Sequence, residues 1–355
     1  MKRKFYLFII ILVSVLLPLL AGEALLRLYH VYKFGMHNPV SPITLDDRLG
    51  WIATKDFKLR GENVDAAGRR YAVNVNQNSE GFRLFGNRKV KDKKKVLFIG
   101  DSFTHAVQVS DNKTYYGLLK DALSIEVFAY GAGGYGNLQE YLILDRYLDV
   151  IKPDAVVWQL CSNDFINNHY ELEYESRRNN NGMMRPYLTI KGEMIYAVPS
   201  RMPLTRQFIN RYSHSQLLYF LLSRIDILAS LKGRSVEDTI KEQGKAFPPF
   251  NDAVTITDRL FEMIRTRIPE KTMLLAFCAD DAEPYLDEMK RLALKNGMTF
   301  IEGVPGEVRK AEHRGVTTRT ADGSHWNEAG HQIVADVLRG YLFKGLQWPH
   351  VLQSK

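Results

Sequence analysis

The chain predicts a three-layer αβα fold: a doubly wound, flavodoxin-like parallel sheet in the order 2-1-3-4-5, preceded by an N-terminal transmembrane helix. Three observations predict it. Apolar runs of strand length recur at residues 96–100, 125–130, 155–161, 272–278 and 298–302. Stretches with helical spacing, residues 137–148 among them, separate these runs, and strands alternating with helices imply parallel pairing with right-handed crossovers. The first three runs end in Gly-, Ser- or Asn-containing turns, which places those turns along the carboxyl edge where open α/β sheets put their sites.

The elements follow in chain order. After Met1-Lys2-Arg3-Lys4, residues 5–22 carry no charge and consist mainly of Leu, Ile, Val and Phe. Eighteen residues at 1.5 Å rise span roughly 27 Å, close to the hydrocarbon thickness of a bilayer. A cleavable signal would be shorter and end in a small-x-small site, and Gly22-Glu23-Ala24 is a poor one, so an uncleaved anchor over residues 1–28 is expected. The three basic residues before it predict a cytoplasmic N-terminus, with the chain after Glu23 on the extracytoplasmic, periplasmic side. Residues 29–92 read as a β-rich attachment. Tyr71-Ala72-Val73-Asn74-Val75-Asn76 alternates like a strand, while Leu49-Gly50-Trp51 and Gly61-Glu62-Asn63 read as turns.

Residues 93–345 read as the main α/β domain, interrupted by an insert at 167–250 that is too long for a plain connection and is expected at the rim of a site. Within it, residues 186–196 read as a hairpin around Lys191-Gly192 and residues 215–231 as an amphipathic helix. The basic run Arg88-Lys89-Val90-Lys91-Asp92-Lys93-Lys94-Lys95 accounts for part of the net charge of +8 and reads as a solvated linker. Basic residues are not interleaved with aromatics, so no nucleic acid is expected as a partner. Cys161 and Cys278 end neighbouring strands and read as buried free thiols, because adjacent strand positions give poor disulfide geometry.

Four islands carry chemistry: Gly100-Asp101-Ser102-Phe103-Thr104, the glycine cluster 131–136, Ser162-Asn163-Asp164, and Asp322-Gly323-Ser324-His325. A serine hydroxyl becomes nucleophilic when an imidazole takes its proton, and the imidazole needs an acceptor on its other nitrogen. Ser102, His325 and Asp322 are those three parts. The tetrahedral intermediate also needs donors that add no charge, which a glycine backbone N–H and an asparagine amide supply.

These residues resemble the SGNH (GDSL) hydrolases over about residues 95–342, in the chain order Ser, Gly, Asn, His. The resemblance implies Ser102 as nucleophile, His325 as base, Asp322 as its orienting partner, and an oxyanion hole of the Ser102 N–H, the Gly134 N–H and the Asn163 amide. Two positions depart from the pattern, with Ala129 where Asn is frequent and Ser162 where Gly is frequent. Asn78-Ser79-Glu80-Gly81-Phe82-Arg83 is similar to segments ahead of the Gly-Asp-Ser motif in membrane-anchored members. A serine esterase acting on ester-linked acyl groups, such as O-acetyl groups, of envelope or exported glycans or lipids is therefore expected. It would need no cofactor and no metal, and would work beside envelope polysaccharide machinery. The alternatives are an O-acyltransferase of the same fold and a catalytically silent glycan-binding scaffold.

Each island has a plainer reading. Gly131-Ala132-Gly133-Gly134-Tyr135-Gly136 also spells a dinucleotide pattern, but it follows the second strand, and no acidic residue ends the next. Asn163-Asp164 would serve equally as a helix cap. His331 reads as a histidine on the surface of a helix.

Overall fold

The structure, a computed structural model, describes residues 2–34, 41–213, 215–230 and 235–346. Residues 35–40, within the expected β-rich attachment, and residue 231, the expected end of the insert's helix, lie outside them.

Helix α1 (Lys2–Phe34) contains Pro18 and no acid in its first turn. From Arg3 to Tyr29 it is long and apolar enough to cross a membrane, with a mean hydropathy of 2.7 and none of it buried by the rest of the chain. Such exposure of Leu, Ile and Phe is unfavourable in water and natural in lipid.

The attachment forms two hairpins. In the first, β1 (Ile43–Asp46) pairs with β2 (Gly50–Ala53); in the second, β3 (Lys58–Val64) pairs with β4 (Arg70–Asn76). The turn expected at Leu49-Gly50 is present, joining β1 to β2 with Gly50 at φ +80°. The turn expected at Gly61-Glu62-Asn63 is corrected: these residues lie inside β3, and the β3–β4 connection is made by residues 65–69. Pairing along the whole of β4 overrides the local turn propensity of Gly and Asn.

Strand β5 (Leu84–Phe85) leads to β6 (Lys95–Gly100), α2 (Ser102–His105), α3 (Tyr115–Leu123), β7 (Glu126–Gly131), α4 (Asn137–Ile151) and β8 (Ala155–Leu160). The insert holds α5 (Asp164–Asn167), α6 (Tyr170–Glu175), β9 (Arg185–Leu188), β10 (Met194–Ala197), α7 (Pro203–Tyr212), α8 (Gln216–Ser230) and α9 (Val236–Gln243). Then follow α10 (Pro248–Arg267), β11 (Met273–Cys278), α11 (Tyr285–Lys295), β12 (Thr299–Phe300), α12 (Val304–His313) and α13 (Glu328–Gly345). The hairpin at Lys191-Gly192 is present, with Met194 opposite Leu188.

The sheet runs β12-β11-β8-β6-β7-β5. Its five parallel strands stand in the predicted order, with Val96 level with both Val127 and Ala155. The sixth, β5, is an antiparallel edge paired through Leu84 with Ala129. Two residues are too few to show an alternation, which is why the sequence does not announce it. Side chains alternate across the pleat. Leu97, Ile99, Val156, Trp158 and Leu274 pack under α4, α10 and α11, whereas Val96, Phe98, Val157, Leu275 and Phe277 pack under α3, α12 and α13. Cys161 and Cys278 are both buried and free, and burial raises both thiol pKa values. The basic run lies at the amino edge of the sheet, exposed, with Lys94 3.2 Å from Asp154 and Lys93 3.8 Å from Glu126.

Candidate active site

Ser102 begins α2 directly after β6. The Asp101 side chain caps this turn by accepting from the Phe103 N–H at 3.0 Å. Position 100 must be glycine, because a Cβ there would overlap Gln159 and Thr104. Position 131 is closed in the same way by the backbone of Asp101 and Thr104. Close approach of β6, β7 and the Ser102 turn thus explains two of the islands' glycines. A Cβ at Gly133 would stand 4.0 Å from Ser102 Cβ, so the glycine loop passes directly beside the serine.

His325 Nδ1 lies 2.7 Å from Asp322 Oδ2, and Asp322 Oδ1 accepts from the backbone N–H groups of Ser324 and His325 at 2.8 and 3.0 Å. Partial burial opposes the charge on Asp322, but the His325 bond and these two backbone donors outweigh it and hold the carboxyl well below the usual range. The His325 ring rests on Phe103, with centroids 5.3 Å apart, next in sequence to Ser102. His331 is corrected: it is buried rather than at the surface, stacked on Tyr115, with its Nδ1 accepting from the Tyr115 N–H at 3.3 Å. Burial lowers its pKa to about 3, so it stays neutral in the core.

Gly134 has φ +75°, a conformation natural to glycine, and a Cβ there would strike the Asn181 side chain. Its two flanking carbonyls are held by residues that the sequence did not single out. Trp51 Nε1 donates to Gly133 O at 2.9 Å, and Arg185 donates to Gly134 O. Arg185 is fully buried, pairs with Glu173 at 3.1 Å, donates to Asn167 O at 3.0 Å, and lies 4.7 Å over the Trp51 ring. Asn163 caps α5 in position only, with no side-chain cap bond; its Nδ2 donates to Asn167 Oδ1 at 2.9 Å. Gly134 and Asn163 are therefore joined through Arg185 and Asn167. At the position where glycine is frequent, Ser162 donates from its Oγ to Asp280 at 2.6 Å, tying this turn to the end of β11.

The β-rich attachment braces both the glycine loop and the loop that carries Asp322 and His325. Besides the Trp51 bond, the Ala321 N–H donates to Val64 O at 2.8 Å and the Ala66 N–H to Arg319 O at 3.0 Å, which pins the loop carrying Asp322 and His325. The segment at residues 78–83 gains a physical account here. Gly81 turns the chain at φ +91°, and buried Arg83 donates to the carbonyls of His105 and Val109 and pairs with Asp111 at 2.9 Å, holding the loop after α2.

Beneath the site lie three fully buried carboxyls, Asp101, Glu140 and Asp164. Asn137 Nδ2 bridges Glu140 Oε2 and Asp164 Oδ2 at 3.0 and 3.2 Å, and Trp158 Nε1 donates to Glu140 at 2.6 Å. Desolvation is the main force on Glu140, and its pKa is pushed up to about 8. Asp164 rises for the same reason, with Glu140 and Asp101 adding repulsion. A raised folded pKa means that the native state keeps protons which the unfolded chain has lost. Stability is then full below about pH 4.5 and falls as pH rises toward about 8. The unfolding midpoint is expected to drop across that window, and Glu140→Gln should flatten the slope. An unchanged slope in Glu140→Gln, measured by thermal unfolding from pH 5 to 8, would assign the effect elsewhere. Asp322, with its depressed pKa, acts with the opposite sign and only in the acid range.

No family profile matches the chain, and no curated protein does. Among solved structures, it is similar to a lipase/acylhydrolase from Enterococcus faecalis, with 12% identity over 71% of this chain and 96% of that one and a TM-score of 0.39. A psychrotrophic esterase from Pseudoalteromonas sp. gives 11% identity, 72% and 99% coverage and a TM-score of 0.40. A Clostridium thermocellum family 3 carbohydrate esterase gives 14%, 72% and 98%, and 0.38. At this distance the likeness assigns no activity, so the chemistry rests on the residues themselves.

Proposed function

We propose that this protein is a membrane-anchored serine esterase of the SGNH type, acting through an acyl-enzyme on ester-linked acyl groups. O-acetyl groups of exported or envelope glycans are the first substrate class and lipid esters the second. The observation that carries the reading is the 2.7 Å bond between His325 Nδ1 and Asp322, on a ring that rests against the residue next to Ser102. That bond fixes the tautomer that leaves Nε2 free to take a proton.

Ser102 Oγ attacks the ester carbonyl while His325 Nε2 removes its proton; the ester oxygen leaves with that proton, and Ser102 is left acylated. Water, activated by the same imidazole, then releases the acid. A sugar hydroxyl in place of water would give transfer by the same steps. Negative charge on the carbonyl oxygen is met by the N–H groups of Ser102 and Gly134 and by Asn163 Nδ2. Helix α1 anchors the chain, with its basic end in the cytoplasm and the site outside. A silent scaffold is disfavoured because the sequence keeps a serine, a histidine and an aspartate at the three triad positions, Ser102, His325 and Asp322.

Trp51 acts as a positioning residue in this reading. The Gly133 carbonyl and the Gly134 N–H belong to one planar trans peptide and point in opposite directions, so the indole bond to that carbonyl fixes the aim of the N–H. Trp51→Phe should lower kcat by about tenfold or more with KM little changed, since the donor meets charge present mainly in the transition state. A rise in KM alone, or a loss of folded protein matched by the loss of activity, would make Trp51 merely structural.

The direct test of the function is a fluorophosphonate probe, followed by peptide mapping and a panel of p-nitrophenyl esters and acetylated glycans. An adduct on Ser102 with hydrolysis of short acyl esters is the expected result. A folded chain that neither labels nor hydrolyses any of them, or that labels elsewhere, refutes the reading.

A further inference from the structure

Helix α7 carries two unlike faces. Inward, Arg206 and Ile209 are buried, and Asn210 Nδ2 donates to Gly182 O at 2.9 Å. Gly182 follows Asn181, whose side chain stands against Gly134. That face therefore holds the rim of the candidate site. Outward, at a spacing of four, Leu204, Phe208 and Tyr212 are 80%, 63% and 67% exposed. Three large apolar side chains in one stripe form a face rather than scattered surface residues. The same stripe walls a groove of about 250 Å³ against Leu45 and Gly50, whose mouth also carries Asp46 and the Asp47–Arg211 ion pair at 3.3 Å.

The position of this face relative to α1 says what covers it. Glu23 is the first charge after the uncharged residues 5–22. Its carboxylate accepts from Ser215 Oγ at 2.8 Å and from the N–H groups of Gln216 and Leu217 at 3.1 and 2.8 Å, capping α8. A carboxylate that ends an apolar span belongs at the edge of the hydrocarbon, so α8 begins at that level. Tyr212 precedes Ser215 by three residues, at most about 10 Å of chain. Arg206 joins the two helices, lying 5.9 Å from the Tyr219 ring. Leu218, Leu221, Ile225 and Leu228 of α8 are exposed as well.

We infer that α7 and the start of α8 lie on the bilayer that α1 enters, with Leu204, Phe208 and Tyr212 in the interfacial layer, so that the 179–184 rim opens at the lipid surface. The inference rests on α1 being a membrane anchor, as proposed above, and it narrows the substrate to an acyl ester presented by a lipid at that surface. Aromatic and leucine side chains on one face of a short helix are what an interfacial helix requires. The basic run at residues 88–95 would then point away from the membrane, since it lies at the opposite edge of the sheet.

The test uses the full chain in nanodiscs of phosphatidylcholine and phosphatidylglycerol, with an environment-sensitive thiol probe at single introduced cysteines. The native Cys161 and Cys278 are buried. Probes on Phe208→Cys, on Val13→Cys in the anchor and on exposed Lys91→Cys are compared with and without brominated acyl chains. Emission at positions 208 and 13 should fall about twofold or more with brominated lipid, while position 91 stays unchanged. Quenching at 13 but not at 208 overturns the inference and leaves the anchor standing. A blue-shifted but unquenched probe at 208 assigns the face to a protein partner and overturns it equally. No quenching at 13 removes the anchor reading together with the inference.

Discussion

Ser102→Ala is expected to lower ester turnover by about four to six orders of magnitude and to abolish fluorophosphonate labelling, with folding intact. The hydroxyl sits at the start of α2, in a turn whose geometry is set by the Asp101 cap and by Gly100, neither of which the substitution touches. His325→Ala should be about as damaging, because a nucleophile and its base, the roles proposed for Ser102 and His325, act as a unit and their losses do not add. Asp322→Asn should retain more activity. The backbone bonds from Ser324 and His325 would still shape the loop, while the imidazole loses its carboxylate partner. Steady-state kinetics on a short p-nitrophenyl ester decide the matter. Near wild-type turnover in Ser102→Ala ends the assignment, as does a fully active His325→Ala.

Asn163→Ala should reduce kcat by about two to three orders of magnitude while KM changes little. One amide hydrogen of Asn163 is engaged by Asn167 Oδ1 at 2.9 Å, which orients the group; the second remains for an oxyanion. Asn163 makes no side-chain cap bond to α5, so its removal should leave the helix start undisturbed. Asn167→Ala provides a graded companion, since it frees the amide without deleting it, and its kcat should fall between those of the two proteins. A change confined to KM would place Asn163 in substrate binding. A thermal midpoint lowered as far as activity would make it structural.

The sheet was legible because buried parallel strands are continuous apolar runs, and their order follows from right-handed crossovers with no further information. Ser102, Gly134, Asn163, Asp322 and His325 were legible as candidates because each sits in a short motif at the end of an element. Gly100 and Gly131 could be read as turn glycines, but only packing shows that side chains from neighbouring elements close those positions. His331 was misread because a polar residue on a helix looks like a surface residue until the stacking of Tyr115 against it is seen. The edge strand β5 and the true turn of the β3–β4 hairpin escaped for a related reason, since pairing partners decide what two or three residues become.

By itself the sequence determined the apolar N-terminal helix, the doubly wound sheet and the types of side chain available for acyl chemistry. All of these depend on local composition and spacing. Tertiary structure alone decided that Trp51 and Arg185, 134 residues apart by their numbers, grip adjacent carbonyls of one glycine loop. It also decided that Val64 and Ala66 pin the histidine loop and that α7 links the site rim to the vicinity of α1. Long-range hydrogen bonds leave no periodic trace in the chain, because a backbone carbonyl accepts equally well from any donor that folding brings to it.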